Sequence, residues 1–399
     1  MNINMERARR LTEYVKGIQK GCNGTKLYQK YKEDIQQVRP QEVFEIFYFL
    51  LEEGTEPQEV LEFLDKVINV FYKSLSEYSW EKPQNDNFLL DLRLENEALV
   101  KRTEEIKNIL KDKSIDLKEK KERLLPRIKE LEKIKYHYSK KENILFPYME
   151  KRMEKFQGLK IMWALHDEVR NQLKEVITIL KDPKSDEGQI HKAMGNLFFG
   201  LLGMVKKEEL ILFPSASEVL SHREWYEMHK QSLEYEFSFI QKEDSEGEEN
   251  QDTSYELVED LPGDFLIETE TGELNLQQVI LVFNALPLDL TFVDENNTVK
   301  YFTRPKDRIF PRSPAFIGRN VENCHPPDSV HIVNKIIESF RSGEKDTAKF
   351  WIELKGRKIF IQYFALRNQR RDYKGVLEVT QDITEVQNLQ GQRRLLDWD

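Results

Sequence analysis

Cysteine is nearly absent: Cys22 and Cys324 are the only two in 399 residues. That number and their separation exclude a disulfide framework, and reduced thiols point to a cytosolic protein. A long apolar run is missing as well. The longest lies around Leu197 to Val205, far short of the ~20 residues a membrane helix needs, and the opening Met-Asn-Ile-Asn-Met-Glu-Arg holds no apolar signal region. Nor is there an excess of Lys and Arg. The formal net charge is −10, and basic runs such as Lys118-Glu-Lys-Lys121 alternate with acids. Neither nucleic acid nor a membrane is therefore expected as a partner. What is present, 39% hydrophobic and 33% charged residues, suits long solvated helices, and the length favours two or three domains.

A duplicated stretch organises the chain. His137-Tyr-Ser-Lys-Lys-Glu142-Asn-Ile-Leu-Phe-Pro147 aligns without a gap to Met204-Val-Lys-Lys-Glu208-Glu209-Leu-Ile-Leu-Phe-Pro214. Each copy follows a long amphipathic run and ends in Phe-Pro, where a helix is expected to stop because proline lacks the N–H and clashes with the preceding turn. Helices are expected from Asn85 or Asp86 to about Lys111, from Ser114 to Phe146 with a bend at Pro126, from Leu159 to Lys181, and from Gln189 to Leu212. Glu224-Trp-Tyr226 opens a further amphipathic run toward Ile240. Two helix pairs with His and Glu near one end are what a metal site in an antiparallel four-helix bundle requires.

Before the bundle, residues 5–78 read as a small helical packing module. Leu11, Val15 and Ile18 form one face, Pro40 starts a helix, and Thr55-Glu-Pro-Gln58 has the capping-box pattern ahead of Val60, Leu64, Val67 and Phe71. After the bundle, Glu243 to Asp260 holds many acids, no Lys or Arg and no apolar period, so a flexible linker is expected. Alternation then replaces helical spacing. Leu290–Asp294 and Thr298–Phe302 read as a strand pair, Val330–Phe340 as a helix, and Lys349–Leu354, Lys358–Leu366 and Gly375–Thr380 as strands.

The duplicated stretch, with His166 in Met162-Trp-Ala-Leu-His166-Asp-Glu-Val-Arg170, resembles the hemerythrin-like (HHE cation-binding) family from roughly Asn85 to Ile240. Leu290-Thr-Phe-Val-Asp294, Ile309-Phe-Pro-Arg-Ser-Pro314, Cys324-His-Pro-Pro327 and Asp382-Ile-Thr384 resemble the PAS domain fused to such bundles in bacterial proteins. The first eighty residues resemble the helical domain of unknown function (number 438) that heads the same fusions. These resemblances imply a multidomain chain. An all-α domain occupies 1–80, a hemerythrin-like four-helix bundle 84–240, an acidic linker 241–262, and an α+β PAS domain with a C-terminal helix 263–399.

The bundle resemblance implies iron, and here several expected donors are replaced. Asn87 stands where related bundles carry His, Met204 stands at the counterpart of His137, and Val67 replaces a His of the N-terminal domain. Related sites use His-x-x-x-Glu; here Lys141 holds the fourth position after His137, and Glu142 at the fifth reaches the interior only from the helix flank. The remaining candidate metal ligands are His137, Glu142, His166, Glu208 and Glu209, enough for one iron or none per chain. Buried carboxylates without a metal need Lys or Arg partners, and Lys140, Lys141, Lys206 and Lys207 flank both copies. In the PAS segment, valine follows Gly318-Arg-Asn where a flavin-adduct cysteine would stand. Cys324, His325 and His331 are the cofactor candidates, and the PAS ligand is unknown. Asp294 with Arg304, Arg308 and Arg312 suits either anion recognition or surface ion pairing. The chain ends at Arg394-Leu-Leu-Asp-Trp398 without a kinase, cyclase or DNA-binding segment. The expected function is a cytoplasmic sensor acting on an unidentified signalling protein or through a PAS homodimer. The alternative is an iron-dependent redox or stress-repair enzyme.

Overall fold

Several helices begin where a side-chain oxygen holds the first turn: Asn4 accepts from the Arg7 amide, Asn23 from Lys26, Asp116 from Glu119 and Asp186 from Gln189. A computed structural model of the chain describes residues 3–80, 87–153, 158–241, 266–310, 312–325, 327–354 and 356–392. The chain divides into two units, Met1–Glu243 and Asp244–Asp399. The expected linker falls almost wholly outside the described residues.

The described part of the first unit is helical. Its N-terminal helices are α1 (Met5–Gln19), α2 (Gly24–Ile35), α3 (Pro40–Glu52) and α4 (Pro57–Glu77). The bundle follows with α5 (Asn87–Lys111), α6 (Leu117–Leu131), α7 (Ile134–Lys140), α8 (Phe146–Arg152), α9 (Leu159–Lys181), α10 (Glu187–Lys207), α11 (Phe213–Val219) and α12 (His222–Ser232). Helix α5 packs on α6, α6 on α9, α9 on α10 and α10 back on α5, which closes the four-legged ring. Residues 1–80 and the bundle share one hydrophobic core, running from Ala8 and Leu11 through Phe71 to Leu165, Leu201 and Trp225. Helices α3 and α4 pack on Glu208–Leu212, just after α10, and α4 also packs on α9, while α12 lies against α5.

Four local expectations are corrected. Helix α4 starts at Pro57 with Glu56 as its N-cap and no side-chain capping bond, so Thr55 does not form the capping box. The second leg starts after Asp116, because Ser114 turns back to bond Asp112 at 2.6 Å. Helix α6 runs through Pro126, and the interruption comes instead at Glu132–Lys133, between α6 and α7. Neither Phe-Pro ends a helix. A π turn spans Lys141–Leu145 and another spans Glu208–Leu212, at aligned positions of the two copies. In each, a phenylalanine amide reaches back five residues, Phe146 to the Lys141 carbonyl and Phe213 to the Glu208 carbonyl. Pro147 and Pro214 then occupy the first turns of α8 and α11, where a missing N–H costs little.

The second unit contains a lone hairpin, β1 (Leu266–Thr269) with β2 (Gly272–Asn275), and then α13 (Leu276–Ala285). Its main sheet holds β3 (Asp289–Asp294), β4 (Val299–Phe302), β5 (Thr347–Leu354), β6 (Arg357–Arg367) and β7 (Tyr373–Asp382), with α14 (Pro327–Ser342) between β4 and β5. Strand order is β4-β3-β7-β6-β5, antiparallel throughout. Its core gathers Val293, Val299, Val376, Ile337 and Phe340, so α14 covers one sheet face. Asp382 closes the sheet by accepting from the Thr384 amide and hydroxyl at 2.9 and 2.5 Å. Where a C-terminal helix was expected after Thr384, the described residues to 392 hold only a short 3-10 turn, Val386–Asn388; residues 393–399 lie outside the described residues.

Candidate functional site

The two π turns face the bundle interior and carry its charged groups there. A π turn widens the helix by one residue, so neighbours in sequence can both point inward. Lys141 and Glu142 do so: the lysine is fully buried and the glutamate 5% exposed. The expectation that Glu142 reaches the interior only from the flank is thereby corrected.

His137, on α7, bridges two carboxylates. Its Nδ1 lies 2.8 Å from Glu95 Oε2 and its Nε2 3.0 Å from Glu208 Oε2. Glu95 also accepts from the Lys140 ammonium through Oε1. Glu208 accepts from Lys141 through Oε1 and from Asn96 Nδ2 at 2.8 Å. All six side chains are buried. Burial alone would raise both carboxyls, but His137 and Lys140 hold Glu95 below its ordinary value, and Lys141 with His137 holds Glu208 well below it. Burial drives Lys141 downward, partly offset by Glu208.

A second cluster adjoins the first through Tyr138. His166 Nδ1 lies 2.7 Å from Glu142 Oε1, and Arg170 grips both oxygens of Glu142 at 2.7 and 2.8 Å. The His166 ring stacks on Tyr138 at 4.0 Å between centroids. Burial first, then Lys141 and Arg170, push the imidazole well below 6.5, and its Nε2 is buried without a hydrogen-bond partner.

Of the five predicted ligands, the structure joins His137 to Glu208 and His166 to Glu142. Glu209 stands apart, paired with Arg93 at 3.1 Å on the half-exposed outer side. Glu95 was missed as a site residue, though Glu95-Asn96 repeats the Glu142-Asn143 pair of the second leg. Ser238 was missed too. The segment after α12 does not continue as a helix toward Ile240 but turns back. Its Ser238 amide donates to Glu95 at 2.6 Å, and its hydroxyl accepts from the His137 amide at 3.0 Å. No sequence signal marks that loop.

These residues do not fit iron as they stand. Three carboxylates, Glu95, Glu142 and Glu208, already face three cationic side chains, Lys140, Lys141 and Arg170. Both nitrogens of His137 are engaged. Among the described residues no group of three or more His, Cys, Asp or Glu side chains is arranged to hold a metal ion. The Asn87 side chain is outside the described residues, and Met204 is buried.

In the second unit, Thr291, Glu378, Tyr363 and Ala348 lie in one cross-strand row, and Tyr363 and Ala348 pack against the core on the helix side. Arg312 bonds Glu378 at 2.7 Å. Burial, opposed by Glu378 and reinforced by Arg312 and Arg319, pushes His325 below 6.5, while burial raises Tyr363 far above 10. Cys324 is partly buried near this core and points its Sγ at the Asn320 carbonyl, 3.6 Å away. His331 is exposed on α14. Arg308 serves the carbonyls of Arg312 and Thr303, and Asp294 caps the β3–β4 turn.

The family model of the hemerythrin HHE cation binding domain matches residues 87–216, and that of a PAS domain matches 279–384. No curated protein matches the chain. Among solved structures, it is similar to the C-terminal domain of a protein from Streptococcus mutans, at 34% identity over 32% of this chain and 100% of that one, with a TM-score of 0.31. It is also similar to a PAS domain from Colwellia psychrerythraea, at 18% identity over 28% and 98% of the two chains, TM-score 0.23. A sensory box sensor histidine kinase from Vibrio cholerae follows at 14% identity over 27% and 90%, TM-score 0.21.

Proposed function

We propose that this chain, a helical region with a hemerythrin HHE domain joined to a PAS-like domain, is a sensory or regulatory protein that works by binding and conformational change. The observation that carries the reading is the polar cluster on the inner face of the PAS-like sheet. An Arg312–Glu378 pair sits there with His325 and Tyr363 in its field, a mixed donor and acceptor wall suited to a small polar ligand. In the bundle, by contrast, the buried carboxylates Glu95, Glu142 and Glu208 are each paired with a cationic side chain. Native mass spectrometry of the full-length chain against a panel of small polar metabolites tests this. A stoichiometric ligand lost in Arg312→Ala supports it; a panel with no binder, in either protein, counts against it.

Output through a second copy or a separate signalling protein belongs to the same reading. Helix α13 buries none of its residues and exposes Leu281, Val282 and Phe283, a surface suited to a PAS homodimer. Light scattering on the full chain, with Val282→Glu as comparison, is expected to show a dimer that the variant weakens; a concentrated wild-type monomer would refute it. A cytoplasmic location, with neither nucleic acid nor membrane as partner, rests on the two free cysteines and the acidic balance. No helix among the described residues is long and apolar enough to cross a membrane. The first eighty residues we read as the helical domain of unknown function (number 438).

The enzyme reading has one observation in its favour. His166 Nε2 is a buried nitrogen with no hydrogen-bond partner, and a single iron held by His137, His166, Glu142 and Glu208 would take it as a ligand. That iron requires Lys141 to leave Glu208. Redox turnover by iron-loaded protein that is lost on removing the iron would support the enzyme reading; iron-loaded protein without turnover would count against it.

A further inference from the structure

The copies of the duplicated stretch are equal in length and opposite in charge at one position. Lys141 aligns with Glu208. Both are buried, both open a π turn, and they bond to each other across the bundle. We infer that Lys140 and Lys141 are the resident cations of this centre, occupying the carboxylates that a divalent metal would need, so that the bundle closes without one.

The donors around Glu95 and Glu208 leave no oxygen idle. Glu95 Oε1 accepts from Lys140 and from the Ser238 amide, and Oε2 lies against His137. Glu208 Oε1 accepts from Lys141, and Oε2 meets His137 and Asn96. Each ring nitrogen of His137 already faces a carboxylate oxygen, so an ion would have to displace one of those contacts. The ammonium groups are themselves enclosed. Lys140 Nζ lies 4.3 Å from the centre of the Phe237 ring, and Lys141 Nζ lies 4.6 Å from that of Tyr138. The lysines of the other copy, Lys207 aligned with Lys140 and Lys206 aligned with Ser139, turn away. Lys206 bonds Asn69 and Lys207 bonds Asp65, both on α4, at 2.8 and 2.6 Å. The inward lysines are therefore specific to the first copy and are not a general feature of a Lys-Lys pair beside a π turn. A divalent ion entering here would add charge to an already neutralised centre and would have to displace a buried ammonium. This inference does not rest on the sensory reading, which a metal-free or a metal-loaded bundle would serve equally.

Full-length protein and the double variant Lys140→Met/Lys141→Met are each treated with a chelator, then equilibrated with Fe(II) without oxygen or with Zn(II), and desalted. Metal content and melting temperature are the readouts. The wild type is expected to stay at background metal and to melt unchanged with chelator or metal. The variant is expected to take up about one ion per chain and to melt higher with metal than without, because binding to the folded state alone stabilises it. Stoichiometric metal in the wild type, or a folded variant that binds none, overturns the inference. If the variant does not fold, the wild-type arm decides: no uptake and no shift uphold it, and uptake overturns it.

Discussion

Replacing Glu208 by Gln keeps the shape of the side chain and removes its charge. Lys141 is fully buried and loses the carboxylate it bonds, while His137 and Asn96 face an amide that can accept from only one side. Removing one partner of a buried pair typically costs about 3–5 kcal/mol, because the other charge stays in a medium that solvates it poorly. For a unit of this size each kcal/mol moves the melting midpoint by roughly 2–4 °C, so a drop of about 6–20 °C is expected. Thermal unfolding of the full chain, followed by helical circular dichroism, measures it. Glu209→Gln is the control: one residue away, half-exposed and paired with Arg93 at 3.1 Å, it should cost no more than about 1 kcal/mol. Replacing the pair together, Glu208→Leu with Lys141→Met, should cost less than the two single changes added. The acid limb follows as well. Because Glu208 is held below its ordinary 4.5, its contribution is whole above that value and fades as pH falls toward the folded pKa; Glu208→Gln should flatten that limb. A Glu208→Gln protein as stable as Glu209→Gln would refute the buried-pair reasoning.

His166 is neutral when folded and protonates when unfolded, since burial holds its pKa well below 6.5. Below that value the unfolded chain binds the extra proton, so stability should decline from about pH 7 to 5, and His166→Gln should reduce that decline in parallel urea titrations; an unchanged slope would contradict the burial argument. Gly375 has φ +131°, and a Cβ there would stand 2.1 Å from the Val293 carbonyl oxygen. Gly375→Ala should therefore cost at least about 1–3 kcal/mol in the second unit while leaving the helical unit's transition in place; a single unshifted transition would show the β3–β7 pairing to be more pliant than its register implies.

Much of the fold was legible because long periods average over local accidents. The unbroken spacing of Met162, Leu165, Val169, Leu173, Val176 and Leu180 predicts a helix from Leu159 to Lys181, and α9 has those bounds. Alternation placed the five main strands to within a few residues. What failed was shorter than a period. A π turn adds one residue and restores the α spacing, so its trace is a one-residue slip that a sequence window reads as noise. Proline was read as a terminator twice and a hinge once, yet the π turns give Pro147 and Pro214 first-turn positions, and α6 carries Pro126 without interruption. The hairpin at Leu266–Asn275 and the Ser238 loop gave no sequence signal at all.

The same limit explains the site. Read as a string, the two copies each offer lysines followed by glutamate, and the acid appears to be the group that matters. Aligned without a gap, they are offset by one: Lys140, Lys141 and Glu142 stand opposite Lys207, Glu208 and Glu209. In the first copy all three side chains go to the interior. In the second, Lys207 turns to Asp65, Glu209 turns to Arg93, and Glu208 alone faces the centre. The position that opens each π turn is therefore the inward one in both, and its two occupants carry opposite charge. A pair of like acids there would need a cation between them, whereas a lysine and an acid satisfy one another directly. One residue type at position 141 thus decides whether the duplicated centre demands an ion or does without it.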